Sequence, residues 1–170
     1  MIKTINIQTN GKKHNFISSL KANNVSFYST EIGEFIINYK NNYIDSTKFI
    51  DNNKIKNKLD ELDKSSNISK YFNGTAKGLI SKYKLNGTNF QVKVWNEIIK
   101  IPYGETKTYG DIAVAIGQPT AHRAVANACG KNKIALFVPC HRVVGKNNIG
   151  GYEWGVWRKQ WLLDLEKKNS

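Results

Sequence analysis

Alternating apolar and polar residues over the first 50 positions predict β-strands, because successive side chains on a strand point to opposite faces. Residues 25–29 and 33–39 are rich in β-branched and aromatic residues and are bounded by turn residues, which favours strands. Apolar positions at helical spacing predict a helix over residues 55–62 and a short second one over residues 68–72. With an extended stretch over residues 79–85, this half predicts a small α/β scaffold without catalytic residues.

Helical spacing dominates from residue 86 onward. Either Thr88 or Asn89 can cap a first helix there. Thr108 and Asp111 have the spacing of a capping box, with Asp in place of Glu, and predict the start of a further helix. A last helix is predicted over residues 156–167.

Two short helices, over residues 109–116 and 121–129, are separated by a predicted turn of four residues. This spacing predicts a helix-turn-helix, although a plain helical hairpin fits it equally well. The second helix consists mostly of small residues and carries one arginine, Arg123. Such a surface suits either a shallow fit to a widened minor groove or close packing in a core, and both interpretations stay open.

The length of 170 residues allows one large domain or two small ones, and we place a boundary between residues 1–85 and 86–170. A net charge of +13 points to a polyanionic partner, with nucleic acid first and a membrane surface second. The excess is divided almost evenly between the two halves, so the charge alone predicts no single binding face.

Other sequence features favour an intracellular protein. No run of about 18 apolar residues is present, as a membrane-spanning helix requires, and residues 1–6 lack the apolar core of a signal peptide. Cys129 and Cys140 provide no disulfide framework, and three histidines argue against a four-ligand zinc site. We expect reduced thiols, a cytoplasmic location (nuclear in a eukaryote), no metal, no cofactor and no membrane partner.

The strongest candidate for chemistry is the sequence Pro139-Cys140-His141. A thiol is nucleophilic as its thiolate, and a neighbouring base favours that form. The apolar run over residues 134–138 predicts a strand that ends at Pro139 and holds the cysteine at the mouth of the core. On this pairing alone, a buried cysteine that serves as a small apolar residue remains the alternative.

Several spaced motifs together resemble the O6-alkylguanine-DNA alkyltransferase family, over roughly residues 69–167. The motifs are Pro139-Cys140-His141-Arg142-Val143, Gly104-Glu105-Thr106 before Tyr109, Arg123, Asn132, Tyr152, and Trp161-Leu162-Leu163 before Glu166. The resemblance implies a ribonuclease-H-like α/β domain followed by a mainly helical domain with a winged helix-turn-helix. It also implies DNA repair by one irreversible transfer of an alkyl group from O6 of a flipped-out guanine to Cys140, and O4-alkylthymine as a further substrate.

The resemblance assigns catalytic roles to five residues. Cys140 is the nucleophile, and His141 is the base, acting through one water because adjacent side chains on an extended backbone point apart. Glu166 holds the imidazole in the required tautomer. Tyr109 donates its hydroxyl to the departing guanine. Asn132 braces the turn that carries the cysteine.

Further residues are expected at the DNA and in the substrate pocket. Arg123 fills the gap left by the flipped base. The expected DNA contacts are Thr108, Ala121, Arg123, Ala124 and Arg142. The expected pocket residues are Tyr109, Val143, Tyr152, Trp154 and Lys159. Trp154 is expected to narrow the pocket against O6-benzylguanine, unless it packs on the last helix beside Trp157.

The sequence departs from the family pattern at Lys133, where a proline commonly follows the asparagine, and around Trp154. Cys129 and His122 inherit no role. Two other functions stay open: a lesion-recognition protein without repair activity, whose members lack the cysteine, and a thiol hydrolase unrelated to DNA. The expected partner is double-stranded DNA that contains O6-alkylguanine, bound by a monomer.

Overall fold

The computed structural model describes residues 6–9, 12–15, 24–51 and 66–170 of the chain. These residues form a mixed α/β structure, which confirms the predicted fold class at that level. The helix predicted over residues 55–62 lies outside the described residues.

The strands in the described part of the chain form three small sheets. They are β1 (Asn6–Thr9), β2 (Lys12–Asn15), β3 (Val25–Thr30), β4 (Gly33–Lys40), β5 (Tyr43–Ile50), β6 (Lys107–Thr108) and β7 (Val143–Val144). β1 pairs with β2, and β3, β4 and β5 form an antiparallel meander with β4 in the centre. β6 and β7 pair in parallel, which brings together two parts of the chain that the sequence analysis considered separately.

Four of the five described α-helices lie in the second half of the chain. The five are α1 (Asn67–Phe72), α2 (Asn89–Ile99), α3 (Tyr109–Ala115), α4 (His122–Gly130) and α5 (Val156–Asn169). The predicted capping box of Thr108 and Asp111 on α3 is confirmed. Of the two caps predicted for α2, Thr88 is the one used, and it forms a capping box with Gln91. These local hydrogen bonds satisfy backbone N–H groups that a helix start leaves without partners.

The two halves of the chain pack against each other. The ring of Phe72 in α1 lies 5.9 Å from the ring of Trp161 in α5. Arg158 of α5 donates from Nε to the carbonyl of Ile32 at 2.7 Å, and its guanidinium forms an ion pair with Asp51. α5 is therefore fixed by groups from the first half of the chain.

The strand predicted over residues 134–138 is absent, and this prediction was wrong. These five residues are buried but follow a series of turns, in which Leu136 has a φ of +69°. The amide N–H of Val138 donates to the carbonyl of Ile134 at 3.0 Å, a hydrogen bond within the turn rather than across a sheet. Apolar runs of this length occur in buried turns as well as in strands, so the pattern alone could not separate the two.

The predicted extended stretch over residues 79–85 forms no regular strand. Tyr83 makes a single parallel bridge to Ile44 of β5. None of the described helices is long and apolar enough to cross a membrane.

Candidate active site

Cys140 begins a single turn of 3₁₀ helix, Cys140–Arg142, directly before β7. The pairing of β7 with β6 places this turn beside the start of α3, because β6 ends at the residue that caps α3. Tyr109, the first residue of α3, and Cys140 consequently line the same cavity of about 320 Å³. A cavity of this size falls at the small end of the range for small-molecule sites, roughly 300–1,000 Å³.

The amide of Asn132 holds the turn around the cysteine. Its Nδ2 donates to the carbonyl of Val138 at 2.9 Å and to Sγ of Cys140 at 3.2 Å. Its Oδ1 accepts from the amide of Ile134 at 2.8 Å. The predicted bracing contact is therefore present, with Lys133 at the position where proline was expected.

The thiol of Cys140 is buried, with 4% of its surface exposed. Burial raises its pKa well above the ordinary value, and the adjacent thiol of Cys129 raises it further. The Asn132 amide and the charge of Lys159 lower it, but by less than burial raises it. At rest the site therefore holds a thiol rather than a thiolate, and a base has to remove the proton during reaction.

His141, the residue after the cysteine, forms a fully buried pair with Glu166. Nε2 of His141 lies 2.8 Å from Oε1 of Glu166, and the two residues are 0% and 1% exposed. Glu166 comes from the last full turn of α5, as predicted for the final helix. Arg142 also binds this carboxylate, from Nε to Oε2 at 2.8 Å and from its terminal nitrogen to Oε1 at 2.9 Å. The amide of Gly104 donates to Oε2 at 3.2 Å.

These contacts determine the charge states of the pair. Burial alone would raise the pKa of Glu166, but the hydrogen bond and charge of His141, followed by those of Arg142, hold this pKa well below its ordinary range. Burial, helped by the charges of Arg142 and Lys159, lowers the pKa of His141, and together these effects outweigh the hydrogen bond and charge of Glu166, which raise it. The pair is therefore a neutral imidazole beside a carboxylate, with the proton on Nε2 donated to Glu166. Nδ1 is buried without a hydrogen-bond partner among the described residues and keeps its lone pair for a proton.

The wall of the cavity contains some of the predicted pocket residues and not others. Tyr109 and Tyr152 line it, together with Cys140 and residues of α4. Burial raises the pKa of Tyr109, so its hydroxyl retains its proton and can donate. Trp154 is not among the lining residues, and the wall at this point continues through Glu153 instead.

Trp154 was expected to line the pocket, and the structure corrects this expectation. Its ring packs edge-on against the ring of Tyr152, with centroids 5.2 Å apart. Its carbonyl accepts from the guanidinium of Arg158 at 2.7 Å. Since the indole packs on Tyr152 and does not line the cavity, the expected exclusion of O6-benzylguanine by Trp154 loses its geometric basis.

Val143 and Lys159 support the wall rather than line it. Nζ of Lys159 donates to the carbonyl of Val143 at 2.6 Å and to the carbonyl of Gly151 at 3.1 Å. Burial lowers the pKa of Lys159 to about 8, although the two nearby cysteines act in the opposite direction. The ammonium also lies 5.8 Å from the centroid of the Tyr109 ring. Lys159 thus connects the strand after the cysteine to the loop that carries Tyr152.

The residues predicted to contact DNA differ in exposure. Arg123 and Ala124 are exposed on α4, whereas Ala121 and Thr108 are half-buried. Arg142 is 7% exposed, and its guanidinium is occupied by Glu166 and by the carbonyl of Ile101, at 2.8 Å. This placement argues against the predicted contact of Arg142 with DNA, because an arginine reaches a phosphate only with free N–H groups.

Sequence analysis missed two residues of the site. Tyr71 of α1 donates its hydroxyl to Oε1 of Glu166 at 2.5 Å, although the first half was interpreted as scaffold without a part in the chemistry. Gly150 lies against the hydroxyl of Tyr109, and its φ of +73° is one that residues with a side chain rarely adopt. The pair Gly150-Gly151 beside Tyr152 was the available signal for a close approach of the backbone.

No cluster of three or more His, Cys, Asp or Glu that could hold a metal ion occurs within the described residues. Both cysteines of the chain are free thiols. The chemistry that these residues can support is nucleophilic attack by a thiol, with a histidine as base and a tyrosine as donor.

Comparison with known proteins agrees with this site. Residues 89–168 match the family described as "6-O-methylguanine DNA methyltransferase, DNA binding domain". A probable methylated-DNA–protein-cysteine methyltransferase of Acanthamoeba polyphaga mimivirus is 53% identical over 149 residues, covering 86% of this chain and 98% of that protein. The inducible methylated-DNA–protein-cysteine methyltransferase of Bacillus subtilis is 48% identical over 104 residues, covering 61% of this chain and 58% of that protein.

Solved structures give the same result. The crystal structure of the Mycobacterium tuberculosis O6-methylguanine methyltransferase superimposes with a TM-score of 0.71 at 33% identity, covering 86% of this chain and 94% of that one. The structure of the M. tuberculosis OGT in complex with DNA gives a TM-score of 0.73 over the same shares. Fold and site together define a DNA-binding protein with a cysteine–histidine–carboxylate centre. The chain belongs to the methylated-DNA–protein-cysteine methyltransferase family, and its enzyme class is the S-methyltransferase of that name.

Proposed function

We propose that this protein repairs O6-alkylguanine, and O4-alkylthymine, in double-stranded DNA by a single irreversible transfer of the alkyl group to Cys140. The observation that carries the proposal is the shared cavity of Cys140 and Tyr109, with the buried pair of His141, the residue after the cysteine, and Glu166. A protein that recognises lesions without repairing them would need neither the thiol nor this pair. A thiol hydrolase unrelated to DNA would not need Arg123, the exposed cation on α4.

The proposed reaction transfers one methyl group from O6 of guanine to the sulfur of Cys140. Sγ of Cys140 attacks the methyl carbon, the S–C bond forms and the C–O6 bond breaks. The thiol proton passes to Nδ1 of His141 through a water, and the imidazolium is stabilised by the carboxylate of Glu166. Tyr109 donates its hydroxyl to the guanine as negative charge develops on the ring, which lowers the barrier. The products are a thioether on Cys140 and an unmodified guanine.

The lesion would reach the cavity only after leaving the base stack, because Cys140 is buried and Tyr109 is half-buried. α3 and α4 form a helical hairpin beside the cavity, and residues of α4 contribute to its wall. We propose that this hairpin acts as the helix-turn-helix of a winged domain, that α4 enters the minor groove, and that Arg123 occupies the gap left by the flipped base. The β3–β4–β5 meander is proposed to be part of a ribonuclease-H-like domain.

Intact-mass spectrometry before and after incubation with O6-methylguanine duplex DNA tests the function. We expect each protein molecule to gain one methyl group, with loss of one hydrogen, on Cys140, and to react no further. Tight lesion binding without a mass change would support the recognition protein instead. Repeated ester turnover without DNA would support the hydrolase.

The Arg123→Ala variant should lose lesion repair more than it loses binding to undamaged duplex. We expect about a 10-fold lower repair rate at limiting DNA, because stabilising the flipped state offsets a cost of a few kcal/mol. Binding to undamaged DNA should fall by less than about 3-fold, as expected for loss of one phosphate contact. Lys131→Ala is the matched control, since Lys131 is an exposed cation at the other end of α4. Equal losses in both assays would show that Arg123 is a phosphate contact.

The Gly150→Ala variant should slow methyl transfer by displacing Tyr109. A Cβ at this position would lie 2.5 Å from the Tyr109 hydroxyl oxygen. Complete loss of a preorganised donor costs about 10²–10³ in rate, so we expect between about 10-fold and about 100-fold for a displaced ring. Gly151→Ala is the control, because its added Cβ meets no described atom within 4 Å. Single-turnover rates for the two variants are compared at equal DNA occupancy, and similar rates would contradict the role of Tyr109.

A further inference from the structure

We propose that Tyr71 is a positioning residue for the alkyl transfer. Its hydroxyl controls how strongly the Glu166 carboxylate accepts the Nε2–H of His141. The inference rests on the proposed function of Cys140 and His141. It gives the first half of the chain a part in the chemistry, because Tyr71 of α1 lies 70 residues before His141 and 95 before Glu166.

The contacts of Tyr71 place it inside the pair. Its hydroxyl lies 2.5 Å from Oε1 of Glu166 and 3.4 Å from Nε2 of His141. Only 1% of the Tyr71 side chain is exposed. Its ring is fixed edge-on by Phe72, 5.6 Å away, and by Tyr103, 5.9 Å away. The hydroxyl oxygen therefore cannot leave the carboxylate without movement of the ring.

The oxygen that Tyr71 binds is the one that holds the imidazole. Oε1 of Glu166 accepts from Tyr71, from Nε2–H of His141 and from Arg142. Each donor withdraws negative charge from this oxygen, so the donors compete for it. A purely structural tyrosine would be equally well satisfied by Oε2, which is bound by Arg142 and Gly104. Its place on Oε1 is the observation that carries the inference.

Several groups face His141, and they decide the sign of the effect. Glu166 favours the imidazolium, while burial and the charges of Arg142 and Lys159 favour the neutral ring. The ring of Tyr152 lies edge-on at 6.4 Å. Without the Tyr71 hydroxyl, the carboxylate would act more strongly on Nε2–H. The pKa of His141 would then rise, and more of the ring would be charged and unable to accept the thiol proton.

The test is the pH profile of single-turnover methyl transfer by Tyr71→Phe. The acid limb is the part of the pH–rate profile in which the rate falls as the pH is lowered. We expect this limb to move to higher pH by about one unit, which makes transfer there about 10-fold slower. At alkaline pH the rate should stay within about 2-fold of the unmodified protein, and DNA affinity should be unchanged. If the hydroxyl contributed only to packing, its loss would instead lower the rate equally at all pH values.

Tyr103→Phe is the matched control. Tyr103 is the aromatic neighbour of Tyr71, and its buried hydroxyl has no partner among the described residues. Its removal should leave the acid limb in place. Should Tyr71→Phe fold poorly, Tyr71→3-fluorotyrosine keeps the hydroxyl and makes it a stronger donor. That variant should move the acid limb down, opposite to Tyr71→Phe.

The outcomes separate the inference from the function on which it rests. An acid limb that does not move, or moves equally in Tyr71→Phe and Tyr103→Phe, overturns the role of Tyr71 while methyl transfer by the unmodified protein stands. Absence of transfer by the unmodified protein overturns the proposed function together with the inference. Opposite shifts for phenylalanine and fluorotyrosine support the role of Tyr71.

Discussion

The Cys140→Ala variant is expected to lose methyl transfer completely and to keep its affinity for DNA. The sulfur is the atom that forms the new bond, and alanine offers no nucleophile in its place. The surrounding turn should persist, because Asn132 retains its hydrogen bonds to the carbonyl of Val138 and the amide of Ile134. The free energy of unfolding should fall by about 1 kcal/mol, as for a typical substitution. Intact mass after incubation with O6-methylguanine DNA measures the transfer.

Cys129→Ala is the matched control for this experiment. Cys129 is also a buried free thiol and lines the same cavity. It lacks the bond from Asn132, and His141 does not follow it in the chain. We expect this variant to become methylated, on Cys140. A methyl adduct on Cys140→Ala would move the nucleophile to Cys129 and overturn the assignment of Cys140.

Local signals in the sequence were sufficient for most of the second half of the fold. A capping box needs only side chains three residues apart; the predicted box at Thr108 is present, and Thr88, one of the two predicted caps of α2, forms another. The contact between Asn132 and the cysteine turn was predicted only through the family resemblance, in which this asparagine braces the turn. Interactions within one turn or one short loop join residues that are close in the sequence, so sequence patterns can predict them.

Burial patterns were less informative where apolar residues form turns. Residues 134–138 were predicted as a strand because they are apolar, yet the backbone turns so that the Asn132 amide can bind it. Trp154 was predicted to narrow the pocket because it follows Tyr152 by two residues. The chain turns between them, and the two rings pack against each other instead. Side chains two residues apart point to the same face of a strand, whereas a turn fixes no such relation between them.

Contacts between distant parts of the chain could not be predicted from either pattern. Arg142 carries a charge beside His141, and this position in the sequence fits a DNA contact and a buried ion-pair partner equally well. Its role is decided by Glu166, which reaches it from α5. Tyr71 reads as an ordinary aromatic residue of a short helix, and no neighbouring residue indicates Glu166, 95 positions away. Both residues follow from the packing of α1 and α5 around one carboxylate.

The Glu166→Gln variant is expected to show the largest loss of stability among these substitutions, together with slow methyl transfer. Glutamine has the shape of glutamate but no charge, so the guanidinium of Arg142 would remain buried without a counter-charge. Breaking a buried ion pair by removing one partner costs about 3–5 kcal/mol. His141 would also lose the carboxylate that stabilises its charged form during transfer. Chemical denaturation measures the free energy of unfolding, and single-turnover kinetics measures the transfer.

The matched control is Glu97→Gln, which breaks the ion pair between Glu97 and Lys100. That pair has its cation 67% exposed, so its loss should cost less than about 1 kcal/mol. The pH dependence gives a second check. The pKa of Glu166 is depressed in the folded protein, so its contribution is fully present above the unfolded pKa of about 4.3 and is lost as the pH falls through the folded pKa. The difference between Glu166→Gln and the unmodified protein should therefore be constant near neutral pH and shrink in acid. A difference that does not depend on pH would mean that the hydrogen bonds lost at the new amide NH2, rather than the lost charge, cause the destabilisation.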